Sequence, residues 1–121
     1  MRLLIVDDNS HFLEAARDLL EREGMTVVAV ASTRVEAVRR AGELRPDVTL
    51  VDIDLGNDSG FDLAQQLADP SSGGRSKVIL ISAYPEQDLV ELIDESPAIG
   101  FVSKSDLSRS AIAQLVARAA N

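Results

Sequence analysis

Arg2-Leu3-Leu4-Ile5-Val6-Asp7-Asp8-Asn9-Ser10 opens with a short apolar run that breaks into two acids. The run is far shorter than the roughly 18–20 residues of a membrane span and lacks the pattern of a signal peptide. It predicts a buried strand. Four similar runs follow: Val27-Val28-Ala29-Val30, Val48-Thr49-Leu50-Val51, Val78-Ile79-Leu80-Ile81 and Ile99-Gly100-Phe101-Val102. Nearly unbroken apolar runs, rather than alternating ones, fit strands covered on both faces.

Segments with helical spacing lie between them. Phe12, Ala16, Leu19 and Leu20 mark a first helix, with Asp8 or Asn9 as its cap and Gly24 placed to stop it. Val35, Val38 and Ala41 mark a second, ended before Pro46. Phe61, Leu63, Ala64 and Leu67 mark a third, and Asp69-Pro70-Ser71-Ser72-Gly73-Gly74 reads as an exposed loop. A short fourth helix follows Pro85 to about Ile93. The fifth starts near Ser105, read as its N-cap, with Leu107, Ala111, Ile112, Leu115 and Val116 on one face. This alternation predicts an α/β fold with a parallel sheet.

The length of 121 residues suits one domain, residues 1–121, with no repeat or linker. At 45% hydrophobic residues the chain can build a core unaided, and the absence of cysteine rules out disulfides and thiolate chemistry. That absence also fits a reducing, cytoplasmic setting. A formal net charge of −8 and 3% aromatic residues argue against direct nucleic-acid binding and base stacking. No apolar run suggests a membrane partner.

Open parallel sheets bind ligands at the carboxyl ends of their strands. Asp7 and Asp8 follow the first run, Asp52 the third, Ser82 the fourth and Lys104 the fifth. Singly, each has a bland reading as a cap, a turn or a solvated charge. Together they bring three carboxylates, a hydroxyl and an ammonium to one rim. Neighbouring carboxylates repel unless a cation intervenes, and Mg²⁺ suits an oxygen-only donor set. Zn²⁺ is disfavoured, because the one histidine, His11, has no ligand partner nearby in sequence. A carboxylate can attack phosphorus to give an acyl phosphate, with Lys104 and Ser82 contacting its oxygens.

These residues resemble a response-regulator receiver domain of bacterial two-component signalling, across nearly the whole chain. The motifs are Val6-Asp7-Asp8-Asn9, Val51-Asp52-Ile53-Asp54-Leu55 with Gly60 eight positions past Asp52, Ile81-Ser82-Ala83, and Gly100-Phe101-Val102-Ser103-Lys104. The spacings of 45, 30 and 22 residues between Asp7, Asp52, Ser82 and Lys104 are those of the family. The resemblance implies a doubly wound, flavodoxin-like three-layer sandwich, with five parallel strands in the order 2-1-3-4-5 and five helices. It implies Asp52 as phosphoacceptor and Mg²⁺ held by Asp7, Asp8, Asp52 and the backbone carbonyl of Asp54. Ser82, the Ala83 N–H and Lys104 would contact the phosphate, and Ser82 with Phe101 would form the switch. Asp54 and Tyr84 would tune the lifetime of the phosphorylated state.

The donor implied is a sensor histidine kinase or a histidine phosphotransfer protein. Leu13, beside the core stripe of the first helix, reads as an exposed contact for that partner. The output face is that of the fourth helix, fifth strand and fifth helix; it allows a homodimer and, through an attached or partner domain, control of transcription. Beyond self-phosphorylation and slow self-dephosphorylation no enzyme activity is implied. Three departures stand out: Gly56 and Ser105, where many members have proline, and Phe101, where tyrosine is also common. The first two are expected to loosen or re-cap turns without touching ligands.

Asp52-Ile53-Asp54 also resembles the nucleophile motif of haloacid-dehalogenase-type phosphatases, where it closes the first strand. Here two strands precede it, and Asp7-Asp8 would have no role. A flavodoxin-like cofactor binder is the other alternative, but it would want a phosphate loop where this chain has two acids.

Overall fold

The five apolar runs form one parallel sheet: β1 (Arg2–Val6), β2 (Thr26–Ala31), β3 (Val48–Asp52), β4 (Lys77–Ser82) and β5 (Gly100–Ser103). The order is β2-β1-β3-β4-β5, as expected of the doubly wound fold. The computed structural model describes residues 1–69 and 76–120. The loop expected at Asp69–Gly74 lies outside them beyond Asp69. Among the described residues there are five α-helices: α1 (Ser10–Arg22), α2 (Arg34–Leu44), α3 (Gly60–Ala68), α4 (Val90–Glu95) and α5 (Arg109–Ala119).

Successive side chains of a strand point to opposite faces, and the core divides accordingly. Leu3, Ile5, Leu50, Ile79 and Ile81 join Leu13, Ala16 and Leu20 of α1 and Ile112 of α5 in one cluster. Leu4, Val6, Val51 and Leu80 join Ala37 and Ala41 of α2 and Leu63, Ala64 and Leu67 of α3 in the other. Each fully buried Leu or Ile stabilises the fold by about 1.5–3 kcal/mol. The central strands are therefore fixed from both sides, and so is the rim they end on.

Five local expectations need correction. Leu13 is buried, 6% exposed, so it is no docking contact. The inward stripe of α1 runs through Leu13, Ala16 and Leu20, which leaves Phe12 on its flank and Leu19 half-buried. Val35 is 80% exposed, because α2 turns Ala37 and Ala41 inward instead. Ser105 lies inside a 3-10 turn, Lys104–Asp106, and the cap of α5 is Ser108, whose hydroxyl accepts from the Ala111 N–H. The segment after Pro85 is a 3-10 turn, Glu86–Asp88, followed by a six-residue α4 that buries none of its residues.

Candidate functional site

Asp7 continues the line of β1, and its N–H donates to the Ala31 carbonyl at 3.0 Å. Its Oδ1 accepts from the Asn9 N–H at 2.9 Å, and the Asn9 side chain caps α1 by accepting from His11 and Phe12. One short segment thus ends a strand, starts a helix and pins a carboxylate. Asp7 is fully buried, Asp52 nearly so, and Asp8 is exposed at the mouth.

Asp52 ends β3. Its Oδ1 accepts from the Asp54 N–H at 3.2 Å, and Asp54 begins a two-residue strand that pairs with Asp58–Ser59. Gly56, in the turn of this hairpin, has φ +72°, a value closed to proline and costly for other side chains. A Cβ there would stand 3.3 Å from Asp8 Oδ2, so Gly56 borders a site carboxylate and does more than loosen a turn.

Lys104, directly after β5, brings the cation. Its Nζ lies 2.6 Å from Asp7 Oδ2 and 3.1 Å from Asp52 Oδ2. Burial works against the charged ammonium, but hydrogen bonds and charge from Asp7 and Asp52 outweigh it and hold the Lys104 pKa above its ordinary value. Burial, aided by the Asp7 charge, pushes the Asp52 carboxyl up to about 6 despite the Asp54 N–H and Lys104. Three clustered carboxylates facing the Lys104 ammonium leave the pocket short of positive charge.

The donor set fits a hard divalent cation. Asp7, Asp8 and Asp52 each offer a carboxylate oxygen, and these atoms lie within 4.8 Å of one another. Among the described residues His11 joins no such cluster; it is exposed on the first turn of α1.

Ser82 ends β4, beside β3, and is buried. Its hydroxyl accepts from the Tyr84 N–H at 2.9 Å and keeps its own proton to donate. Ala83 and Tyr84 are exposed in the loop beyond, Tyr84 by 58%. Parallel pairing sets Leu80 beside Phe101 and Ser82 beside Ser103. Ser82 and Phe101 therefore share one sheet face, two residues apart along the strands, with Phe101 half-buried against the α2–α3 cluster. An open cavity of about 260 Å³ on the β5–α5 side is lined in part by Phe101, Val102, Ala111 and Leu115.

One partner of Lys104 is invisible in the sequence pattern. Its Nζ lies 4.4 Å from the centroid of the Phe12 ring, a cation–π contact between the first helix and the turn that follows the last strand. The sequence marks Phe12 only as an apolar position.

The model of the response regulator receiver domain matches residues 3–117. The chain belongs to the response-regulator receiver family. The receiver is 34% identical over 106 residues to the chemotaxis protein CheY of Listeria monocytogenes, covering 86% of each chain. It is 27% identical to the DNA-binding transcriptional activator EvgA of Escherichia coli, covering 97% of this chain and 56% of that one. A protein-glutamate methylesterase/protein-glutamine glutaminase of Archaeoglobus fulgidus is 29% identical over 98% of this chain and 34% of its own length. The receiver thus spans well under two thirds of several curated relatives it matches. Among solved structures, the signal receiver domain of the response regulator NarL from Mycobacterium tuberculosis superposes with a TM-score of 0.79. Its identity is 30%, covering 98% of this chain and 94% of that one. No helix among the described residues is long and apolar enough to cross a membrane.

Proposed function

We propose that Asp52 accepts a phosphoryl group from a phosphohistidine on a sensor kinase or phosphotransfer protein. The observation that carries this is the placement of Asp52 among Asp7, Asp8 and Lys104, all on one rim of the sheet. Asp7, Asp8, Asp52 and the backbone carbonyl of Asp54 would hold Mg²⁺, which when bound neutralises charge on the phosphoryl oxygens. An Asp52 oxygen forms the new bond to phosphorus as the P–N bond breaks, and the imidazole leaves with the electron pair. Lys104 exchanges a carboxylate partner for a phosphoryl oxygen. The Ser82 hydroxyl and the Ala83 N–H donate to the others, so the developing charge meets preset donors.

In the phosphorylated state Ser82 moves toward the phosphate, and the Phe101 ring takes the space it leaves. Their shared sheet face makes this a short path. It leads to the surface of α4, β5 and α5, where α4 is thinly anchored and Tyr84, Val90 and Leu92 are exposed. That surface is where a target or a second copy would bind. Control of transcription through another domain is the output we favour, by analogy with EvgA. Residues 1–121 act as one switching unit in the cytoplasm, and Asp54 and Tyr84 flank the phosphoryl group and set its lifetime.

Incubation with Mg²⁺ and phosphoramidate tests the reading. We expect one phosphoryl group per chain, together with a change in the NMR signals of the Phe101 ring. Sustained turnover of a generic phosphate ester would instead support the phosphatase alternative.

A further inference from the structure

Among the described residues, the Lys104 ammonium meets Asp7 Oδ2 at 2.6 Å, Asp52 Oδ2 at 3.1 Å and the centre of the Phe12 ring at 4.4 Å. Two are carboxylates and the third is a neutral π face. They differ in what a divalent cation does to them. Hard cations take oxygen ligands, so a metal held by Asp7 and Asp52 competes with Lys104 for both carboxylates. It does not compete for an aromatic ring.

Phe12 is also held in register with the site. Its N–H donates to Asn9 Oδ1 at 3.1 Å, and the Asn9 N–H donates to Asp7 Oδ1 at 2.9 Å. The ring is thus rooted, through one capping residue, on a carboxylate that Lys104 touches. It is only partly buried against the α1–α5 core, with Leu13, Ala16 and Leu20 filling the inward stripe of its helix. Packing alone at that flank would be met by any large apolar side chain.

We propose that Phe12 is a positioning residue for Lys104: its ring keeps the ammonium over the pocket once a divalent cation has taken the carboxylates. The lysine then waits where the phosphoryl oxygen arrives, and a long flexible side chain is spared a search for its place. This rests on the reading of Asp52 as phosphoacceptor.

The test compares the unaltered protein with Phe12→Leu, Phe12→Tyr and a chain carrying trifluorinated phenylalanine at position 12. Fluorination keeps the ring's shape while draining the negative charge from its face. Two quantities are read. One is the rate of Asp52 labelling by phosphoramidate with Mg²⁺; the other is the NMR shift of the Lys104 methylene protons next to Nζ, in unphosphorylated protein with and without Mg²⁺.

In the unaltered protein and Phe12→Tyr, ring currents should move those protons upfield, and the displacement should survive Mg²⁺. Phe12→Leu should lose it and be labelled roughly three- to tenfold more slowly. The fluorinated ring should fall between. Labelling of Phe12→Leu at the unaltered rate, or an upfield shift that vanishes when Mg²⁺ binds, overturns the proposal. Should Phe12→Leu fail to fold, the fluorinated chain decides: an unaltered rate there overturns it equally. No labelling of the unaltered protein would instead count against the phosphoacceptor reading, and the shift measurement would still decide the role of Phe12.

Discussion

Gly60 lies directly against Asp52: a Cβ on Gly60 would overlap the Asp52 carbonyl and stand 2.6 Å from the Ile53 Cα. Its N–H closes the approach by donating to the Ile53 carbonyl at 2.9 Å. The first residue of α3 is thereby held against the end of β3, and the hairpin carrying Asp54 and Gly56 is folded over the site.

Gly60→Ala should therefore act as an overpacking substitution against backbone, which has little room to yield. We expect a loss of about 2–3 kcal/mol in urea unfolding, with Mg²⁺ binding weakened as Asp52 is displaced. Unchanged unfolding would show that the two segments can separate freely.

The raised pKa of Asp52 makes its negative charge a cost in the metal-free protein. An acid whose folded pKa lies above its unfolded value favours the folded state most at low pH. That stability is lost as pH rises from near the ordinary 3.8 through about 6. Asp52→Asn cannot take up this charge. Without divalent ions the variant should be the more stable chain at pH 7, with the gap opening across that window. Added Mg²⁺ should narrow it by stabilising the unaltered protein. Urea midpoints between pH 4 and 8 measure both effects, and a gap independent of pH would contradict them.

Lys104 bridges Asp7 and Asp52, so an external cation bound by those carboxylates would compete with it. Lys104→Met should tighten Mg²⁺ about three- to tenfold by removing a nearby positive charge. The same change should slow Asp52 labelling by at least about tenfold through loss of a phosphoryl contact. Calorimetry with Mg²⁺ and a labelling time course separate the two. Weaker metal binding would mean that the ammonium supports the metal site instead of opposing it.

Tyr84 stands two residues past Ser82 and is joined to it through backbone and hydroxyl. If its ring shields the acyl phosphate from water, Tyr84→Ala should shorten the phosphorylated half-life about two- to tenfold. Phosphate release after removal of the donor measures this. An unchanged half-life would sink the idea.

The architecture was legible because the three central strands, β1, β3 and β4, are buried on both faces and leave nearly unbroken apolar runs. The edge strands β2 and β5, half-buried on one face, still keep short apolar runs of their own. The rim was legible for a related reason: a parallel sheet delivers whatever follows each run to one edge, so Asp7, Asp8, Asp52, Ser82 and Lys104 needed no tertiary guess. Helix faces were harder. Phe12 and Leu13 are both large and apolar, and only packing decides that Leu13 points inward. Val35 stands at the start of α2, where the stripe has not yet turned to the core. Ser105 and Ser108 offer the same capping hydroxyl, and the 3-10 turn after Lys104 selects the later one. The Phe12–Lys104 contact joins residues at opposite ends of the chain, and nothing in local spacing announces it.

The most direct test of the central claim is to locate the phosphoryl group itself. The protein would be incubated with Mg²⁺ and phosphoramidate, reduced with borohydride to trap the acyl phosphate, digested and sequenced by mass spectrometry. The account predicts a single modified residue, Asp52, with modification abolished by Asp52→Asn or by removal of Mg²⁺. Stable labelling of another residue, or full labelling of the Asp52→Asn chain, would contradict it.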